Sequence, residues 1–276
     1  MYIRLFFSTI SKHQNTTKMN VDSLTPVEKR GQHWYKREDL LVVNGVCGSK
    51  VRVTAKLVDY AINCGYSQFV TCGSRDSRQC EVVAKVCEWL GLQSHVFMPR
   101  GKETDVSLSI ENTKGAQIHR TKVGYNNVLM SQSKAFANDK KYIYLPFGLD
   151  CKETIDINKL QVVNVPKDVK RIVVPCGGGM NMIAVIKGLE YYGRTDVSVL
   201  GVVVGADPQK TIDKYIQNTL FDSTAVKWSL VNHPSSYSQK AEVTQIDGLE
   251  LDEIYEAKCI PFMRDGDMLW IVGKKL

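Results

Sequence analysis

The segment Arg171-Ile-Val-Val-Pro-Cys176-Gly-Gly-Gly-Met-Asn181 decides the reading of this chain. Arg171–Cys176 reads as an apolar strand, three glycines follow it, and the spacing predicts a helix from Asn181 to Leu189. Such a junction lies at the carboxyl edge of a parallel sheet, where ligands bind. Glycine lets the backbone approach a ligand and turn its N–H groups inward. The helix N-terminus adds positive partial charge. Together they form an anion cup, most often used for phosphate. It is neither G-x-x-x-x-G-K nor G-x-G-x-x-G, because Met180 and Asn181 follow the third glycine. A tight turn that holds no ligand would use the same residues.

Working outward, strand and helix patterns alternate. Lys50–Cys64 predicts a helix, with Val51, Val53, Ala55, Leu57, Val58 and Ile62 supplying its apolar face and Gly65 its cap. Gln68–Cys72 is a strand, Ser77–Leu90 a helix stopped by Gly91, and Ser94–Met98 a strand ended by Pro99. Lys141–Leu145, Val197–Val204 and Met268–Val272 complete the strand set. The polar stretch from Ser223 to Ile246 reads as loop or weak helix. This alternation implies an α/β fold with parallel strands covered by helices.

The 276 residues are 43% apolar and 24% charged, which argues against a disordered, fibrous or membrane-spanning chain. The net charge of +7 permits an acidic partner without requiring one. The basic pairs Arg100/Lys102, Lys140-Lys141, Lys170-Arg171 and Lys274-Lys275 are scattered rather than gathered in a stripe. Eight cysteines form no C-x-x-C pair and no Cys/His cluster with metal spacing, so reduced, mostly buried thiols and no metal are expected. Leu5-Phe6-Phe7 is too short an apolar run for a signal peptide. A cytoplasmic location follows as an expectation, with Met19 as an alternative start.

Two further junctions carry candidate chemistry. Lys36-Arg-Glu-Asp-Leu40 precedes Gly48-Ser-Lys50, which opens a helix. A lysine in a first turn is electrostatically misplaced and its pKa falls, which suits a nucleophilic amine. A solvated surface lysine is the plainer reading. In Cys72-Gly-Ser-Arg-Asp-Ser77-Arg-Gln79, the Ser77 hydroxyl and free N–H groups suit either a bound carboxylate or an ordinary N-cap.

The ordered set resembles the pyridoxal-phosphate enzymes of the tryptophan synthase β fold, fold type II. It comprises Thr25-Pro26, KREDL, G-S-K, the serine turn and the triple glycine. The triple-glycine turn is similar to that family's G-G-G-S-N loop, with Met180 replacing the serine. Ser77-Arg78-Gln79 and the Gly248–Lys258 stretch resemble the 1-aminocyclopropane-1-carboxylate deaminase and D-cysteine desulfhydrase branch, whose patterns are S-N-H/Q and G-x-x-L-D-P-x-Y-x-G-K. The likeness runs thinly from about Thr25 to Val272. It implies two open, mostly parallel α/β domains. The large cofactor-binding domain would span residues 1–56 and 141–276, and the small substrate-side domain 57–140.

The resemblance also implies roles. Lys50 would hold pyridoxal 5'-phosphate as a Schiff base and shuttle the Cα proton. Gly177, Gly178, Gly179, Met180 and Asn181 would bind its phosphate. Ser49, Ser77, Arg78 and Gln79 would meet the substrate, with Ser77 and Tyr255 taking part in catalysis. Arg78 would also border the cofactor, where the family has asparagine. The family's Ser or Thr partner for the pyridine nitrogen is missing, because this chain reads Val272-Gly273-Lys274 there. The chain is also short between Pro208 and Gly248 and after Val272. The implied activity is lyase- or deaminase-type β-elimination on an amino acid by a homodimer. Two alternatives stand beside it: remodelling of an amino acid tethered to a DNA base, and a non-catalytic binding protein on the same fold.

Overall fold

The computed structural model describes residues 21–122, 125–217 and 224–276. The readings made for residues 1–20, Met19 among them, lie outside the described residues. The chain enters as an antiparallel hairpin, β1 (Val27–Arg30) and β2 (His33–Arg37). A short ladder follows, β3 (Val42–Val43) with β4 (Val46–Cys47), and leads into α1 (Ser49–Asn63). Val51, Val53 and Val58 of α1 are wholly buried, as their spacing predicts.

Next come β5 (Gln68–Cys72), α2 (Arg78–Trp89), β6 (Gln93–Pro99), α3 (Asp105–Glu111), β7 (Ala116–Thr121), α4 (Asn126–Lys140) and β8 (Ile143–Tyr144). Their strands form a parallel sheet in the order β7-β6-β5-β8. The strand read at Lys141–Leu145 thus pairs with β5.

The rest builds the larger sheet. Its elements are α5 (Lys152–Asn158), β9 (Arg171–Cys176), α6 (Met180–Tyr191), β10 (Ser198–Val203), α7 (Gln209–Ile212), β11 (Trp228–Asn232), the small hairpin β12 (Gln245–Ile246) with β13 (Leu249–Glu250), and β14 (Met268–Ile271). The strand order is β1-β2-β14-β9-β10-β11. The last strand slots between β2 and β9, parallel to both. Ile172, Val173 and Val174 of β9 and Met182, Ile183 and Ile186 of α6 are wholly buried. Each such side chain contributes roughly 1.5–3 kcal/mol.

Strand β11 corrects the loop or weak-helix reading of residues 223–246. Trp228–Asn232 pairs in parallel with Val199–Val203. As an edge strand it is only partly buried, with Ser229 and Asn232 exposed, so its sequence lacks the continuous apolar run of β9. Among the described residues no helix is long and apolar enough to cross a membrane.

The KREDL motif proves to be a buried polar knot. Glu38 and Arg52, both almost free of solvent, form an ion pair that ties the chain after β2 to α1. Thr25 Oγ1 donates to Glu38 Oε1 at 2.7 Å. Lys36 Nζ donates to Thr25 O at 2.9 Å and Asn164 Oδ1 at 2.8 Å, and burial pushes its pKa down to about 8. Breaking a buried ion pair from one side strands the other charge. Glu38→Ala is therefore expected to destabilise the fold by about 3–5 kcal/mol in urea unfolding at neutral pH. A loss within about 0.5 kcal/mol would show the pair to be ornamental.

Candidate active site

Strands β4, β9 and β14 all end at one cavity between the two sheets. With its mouth and the open solvent there it encloses about 980 Å³ of space. Ser49, Lys50, Arg78, Gly177–Asn181 and Tyr255 all line it.

Lys50 sits in the first turn of α1, half-buried. Its Nζ has no hydrogen-bond or ion-pair partner among the described residues. Burial pushes its pKa down, Arg78 pushes it further, and Cys80 and Glu256 oppose the shift. The turn that delivers it allows no side chain at Gly48. There φ is +102°, and a Cβ would stand 2.2 Å from the Val272 carbonyl oxygen. That carbonyl accepts from Ser49 N at 2.9 Å. The Ser49 hydroxyl, also buried, has no partner.

Opposite lies the glycine turn. Gly179, at φ +83°, is the N-cap of α6 and supplies no side-chain cap. A Cβ on Gly178 would meet nothing within 4 Å, so open space stands over it, whereas one on Gly177 would reach 3.2 Å from the Tyr255 ring. Met180 packs into the core and leaves only its backbone for a ligand. Asn181 Oδ1 accepts from Asn158 Nδ2 at 3.3 Å. This is the arrangement of a helix N-terminus that receives an anion.

The α2 wall departs from expectation. Arg78 faces the cavity and donates to Glu81 Oε2 at 2.7 Å, forming a neutral pair. Ser77 is the N-cap of α2, its Oγ accepting from Cys80 N at 3.4 Å, and it does not line the cavity. Gln79 does not line it either. Its buried amide donates to Thr71 Oγ1 at 2.9 Å and Pro146 O at 2.7 Å, on the sheet side of the helix. Buried amides take such partners because an unpaired one is costly.

Glu256 is the residue the motif reading passed over. It is wholly buried and lines the cavity. Oε1 accepts from Val272 N at 2.8 Å and Gly273 N at 3.2 Å, while Oε2 has no partner. Burial, with Asp252 nearby, pushes its pKa well above the ordinary carboxylate value. The resemblance had looked for a ring partner in Val272-Gly273, and Glu256 is bonded to those same two residues. Its only sequence signal was an acidic residue directly after Tyr255. Tyr255 in turn meets Tyr237, hydroxyl to hydroxyl at 3.1 Å, and burial raises its pKa. Among the described residues no group of three or more His, Cys, Asp or Glu side chains is placed to hold a metal ion.

A family model described as pyridoxal-phosphate dependent enzyme matches residues 10–259. No curated protein matches the chain by sequence. Among solved structures, an ACC deaminase homologue is similar at TM-score 0.76 and 19% identity, over 93% of this chain and 90% of that one. Threonine deaminase isoform 2 from Solanum lycopersicum is similar at TM-score 0.69 and 13% identity, over 94% and 82%. Maize serine racemase is similar at TM-score 0.64 and 14% identity, over 92% and 89%. At these identities the likeness is one of fold.

An unpaired, half-buried amine loses its proton more readily than a surface lysine. In ligand-free protein, fluorodinitrobenzene is expected to modify Lys50 with a pH midpoint below the ordinary 10.5, read by peptide mass spectrometry. The same midpoint for Lys50 and the surface lysines would contradict the environment described.

Proposed function

The chain belongs to the pyridoxal-phosphate dependent enzyme family, and on that premise we propose that it acts at Cα of an amino acid, with lyase- or deaminase-type β-elimination as the reaction. Lys50 is the residue that bonds the cofactor. The observation that carries this reading is the Lys50 amine, unpaired and with a lowered pKa, in one cavity with an uncapped triple-glycine helix N-terminus. That one structural relative is a threonine deaminase and another an ACC deaminase homologue agrees with it.

The residues present fit the cofactor. The backbone N–H groups of Gly177, Gly178, Gly179 and Met180, with Asn181, would hold its phosphate. The orphaned Oε2 of Glu256 would meet its ring nitrogen, in place of the absent Ser or Thr. When bound, the cofactor withdraws electrons from bonds at Cα.

The chain's own groups then handle the protons. Lys50 Nζ, neutral once released, takes the proton from Cα. Tyr255 keeps its phenol proton because burial raises its pKa, and Oη can donate it to a departing β-hydroxyl, which leaves as water. The backbone N–H of Arg78, which opens α2 and lines the cavity, would face the substrate carboxylate, while Ser77 only caps the helix. Ser49 Oγ, buried and unpaired, is a second donor for substrate. Gln79 acts through the fold rather than by contact. Arg78, already paired with Glu81, adds little net attraction for a nucleic-acid phosphate.

The test is the visible absorption spectrum with and without added pyridoxal phosphate, beside Lys50→Ala. A band absent in Lys50→Ala is expected. No band in the wild type with excess cofactor would overturn the reading. The amino-acid screen then includes both enantiomers of serine, threonine, cysteine and β-chloroalanine, read as ammonia and keto acid. The pH dependence of kcat should rise with the base form of Lys50, below pH 10.5, and fall only as Tyr255 ionises, above pH 10.0. Glu256→Gln should lower kcat by about tenfold or more, ~1.4 kcal/mol in the barrier, without loss of folding.

A further inference from the structure

We propose that Lys258 is a positioning residue that aims Tyr255 into the cavity by clamping the loop that carries Tyr237. The inference rests on the proton-donor reading of Tyr255 given above. Lys258 is wholly buried, yet among the described residues it has no carboxylate partner within ion-pair distance. Its Nζ donates to two backbone carbonyls only, Ser236 O at 2.9 Å and Tyr237 O at 3.3 Å. Burying an ammonium costs several kcal/mol, so a hydrophobic side chain would pack there more cheaply. What the ammonium adds is a pair of charge-assisted hydrogen bonds to an otherwise exposed loop.

Residues 236–240 are exposed along their whole length. Beyond Lys258, the loop meets the body through the exposed Lys240–Glu253 ion pair and through the Tyr237 ring, which lies over Gly205. A Cβ there would come within 3.3 Å of Cδ2. The ring stands edge-on to Tyr255, with centroids 5.8 Å apart, and brings the two hydroxyls to 3.1 Å. Tyr255 closes the cavity against Gly177. The chain of contacts is therefore Lys258, the 236–237 backbone, the Tyr237 hydroxyl, the Tyr255 hydroxyl and the cavity. Lys258 lies three residues after Tyr255 in the same 3-10 turn, Glu256–Phe262. One short element thus supplies both the donor and the clamp on its partner.

The experiment compares Lys258→Met, Tyr237→Phe and the double variant with wild type, all as holoenzyme. Backbone hydrogen exchange at residues 236–240 should quicken by about tenfold or more in Lys258→Met, with α6 and β9 unchanged. Turnover is read with serine, whose hydroxide must be protonated to leave, and with β-chloroalanine, whose chloride needs no proton. The kcat for serine should fall by about tenfold or more with KM within about twofold, while β-chloroalanine is spared. The double variant should be no slower than the slower single one.

Unchanged exchange, equal losses on both substrates, or additive losses would each overturn the proposal. If Lys258→Met fails to fold, Tyr237→Phe alone must show the leaving-group-dependent loss, and its absence overturns the proposal equally. If wild type turns over neither substrate, the parent reading has failed, and the exchange result still decides the clamp.

Discussion

Two backbones meet at Gly48 and Val272 with no room for a side chain between them, and the cavity is built around that meeting. The Val272 carbonyl receives Ser49 N, and its N–H is held by Glu256. One residue at the end of the last strand thus fixes the start of α1 and the orientation of a buried carboxyl. Lys50 follows from the first and the orphaned Oε2 from the second. The contact is available only to glycine, because its φ of +102° and the 2.2 Å approach exclude any Cβ. The Glu38–Arg52 pair backs the same helix from its other side. The lysine is therefore held by the fold and not by partners of its own.

Several charged groups elsewhere in the interior are matched, although Arg52 Nη2, Thr54 Oγ1, Ser94 Oγ and Asn158 Oδ1 lack partners among the described residues. Lys36 has two acceptors, Arg37 shares a bidentate pair with Asp39, and Arg171 shares one with Asp267. In the cavity the balance changes. Among the described residues Lys50 has no partner, Ser49 Oγ and Glu256 Oε2 are unsatisfied, and the α6 N-terminus lacks a side-chain cap. Unsatisfied buried groups cost stability, so an unpaired amine, a hydroxyl and a carboxyl oxygen around one cavity suit a ligand. The two ionisable groups have pKa values shifted in opposite directions, the amine down and the carboxyl up, both chiefly by burial.

Much of this was open to inspection in the residues. The strand, triple glycine and helix at Arg171–Leu189 required only hydrophobic runs and the conformational freedom of glycine, and both are local properties. The same holds for α1, α2, β5 and β9, and for Lys50 at a helix start after Gly48-Ser49. The order of these motifs along the chain then pointed to pyridoxal-phosphate chemistry. Strand β11 was invisible because its pairing with β10 outweighs its own weak pattern.

Which side chains reach the cavity was decided only in three dimensions. Arg78 and Gln79 are neighbours in sequence, yet about 100° of helix rotation turns one toward the ligand space and the other into the sheet. Glu256 became a site residue because β14 inserted between β2 and β9 and brought Val272 and Gly273 to its Oε1. The sequence by itself determined the elements, the anion-binding turn and the lysine, since periodicity and backbone freedom act over a few residues. The tertiary structure decided which polar atoms are satisfied and which are left for a ligand, since hydrogen-bond partners come from segments far apart in the chain.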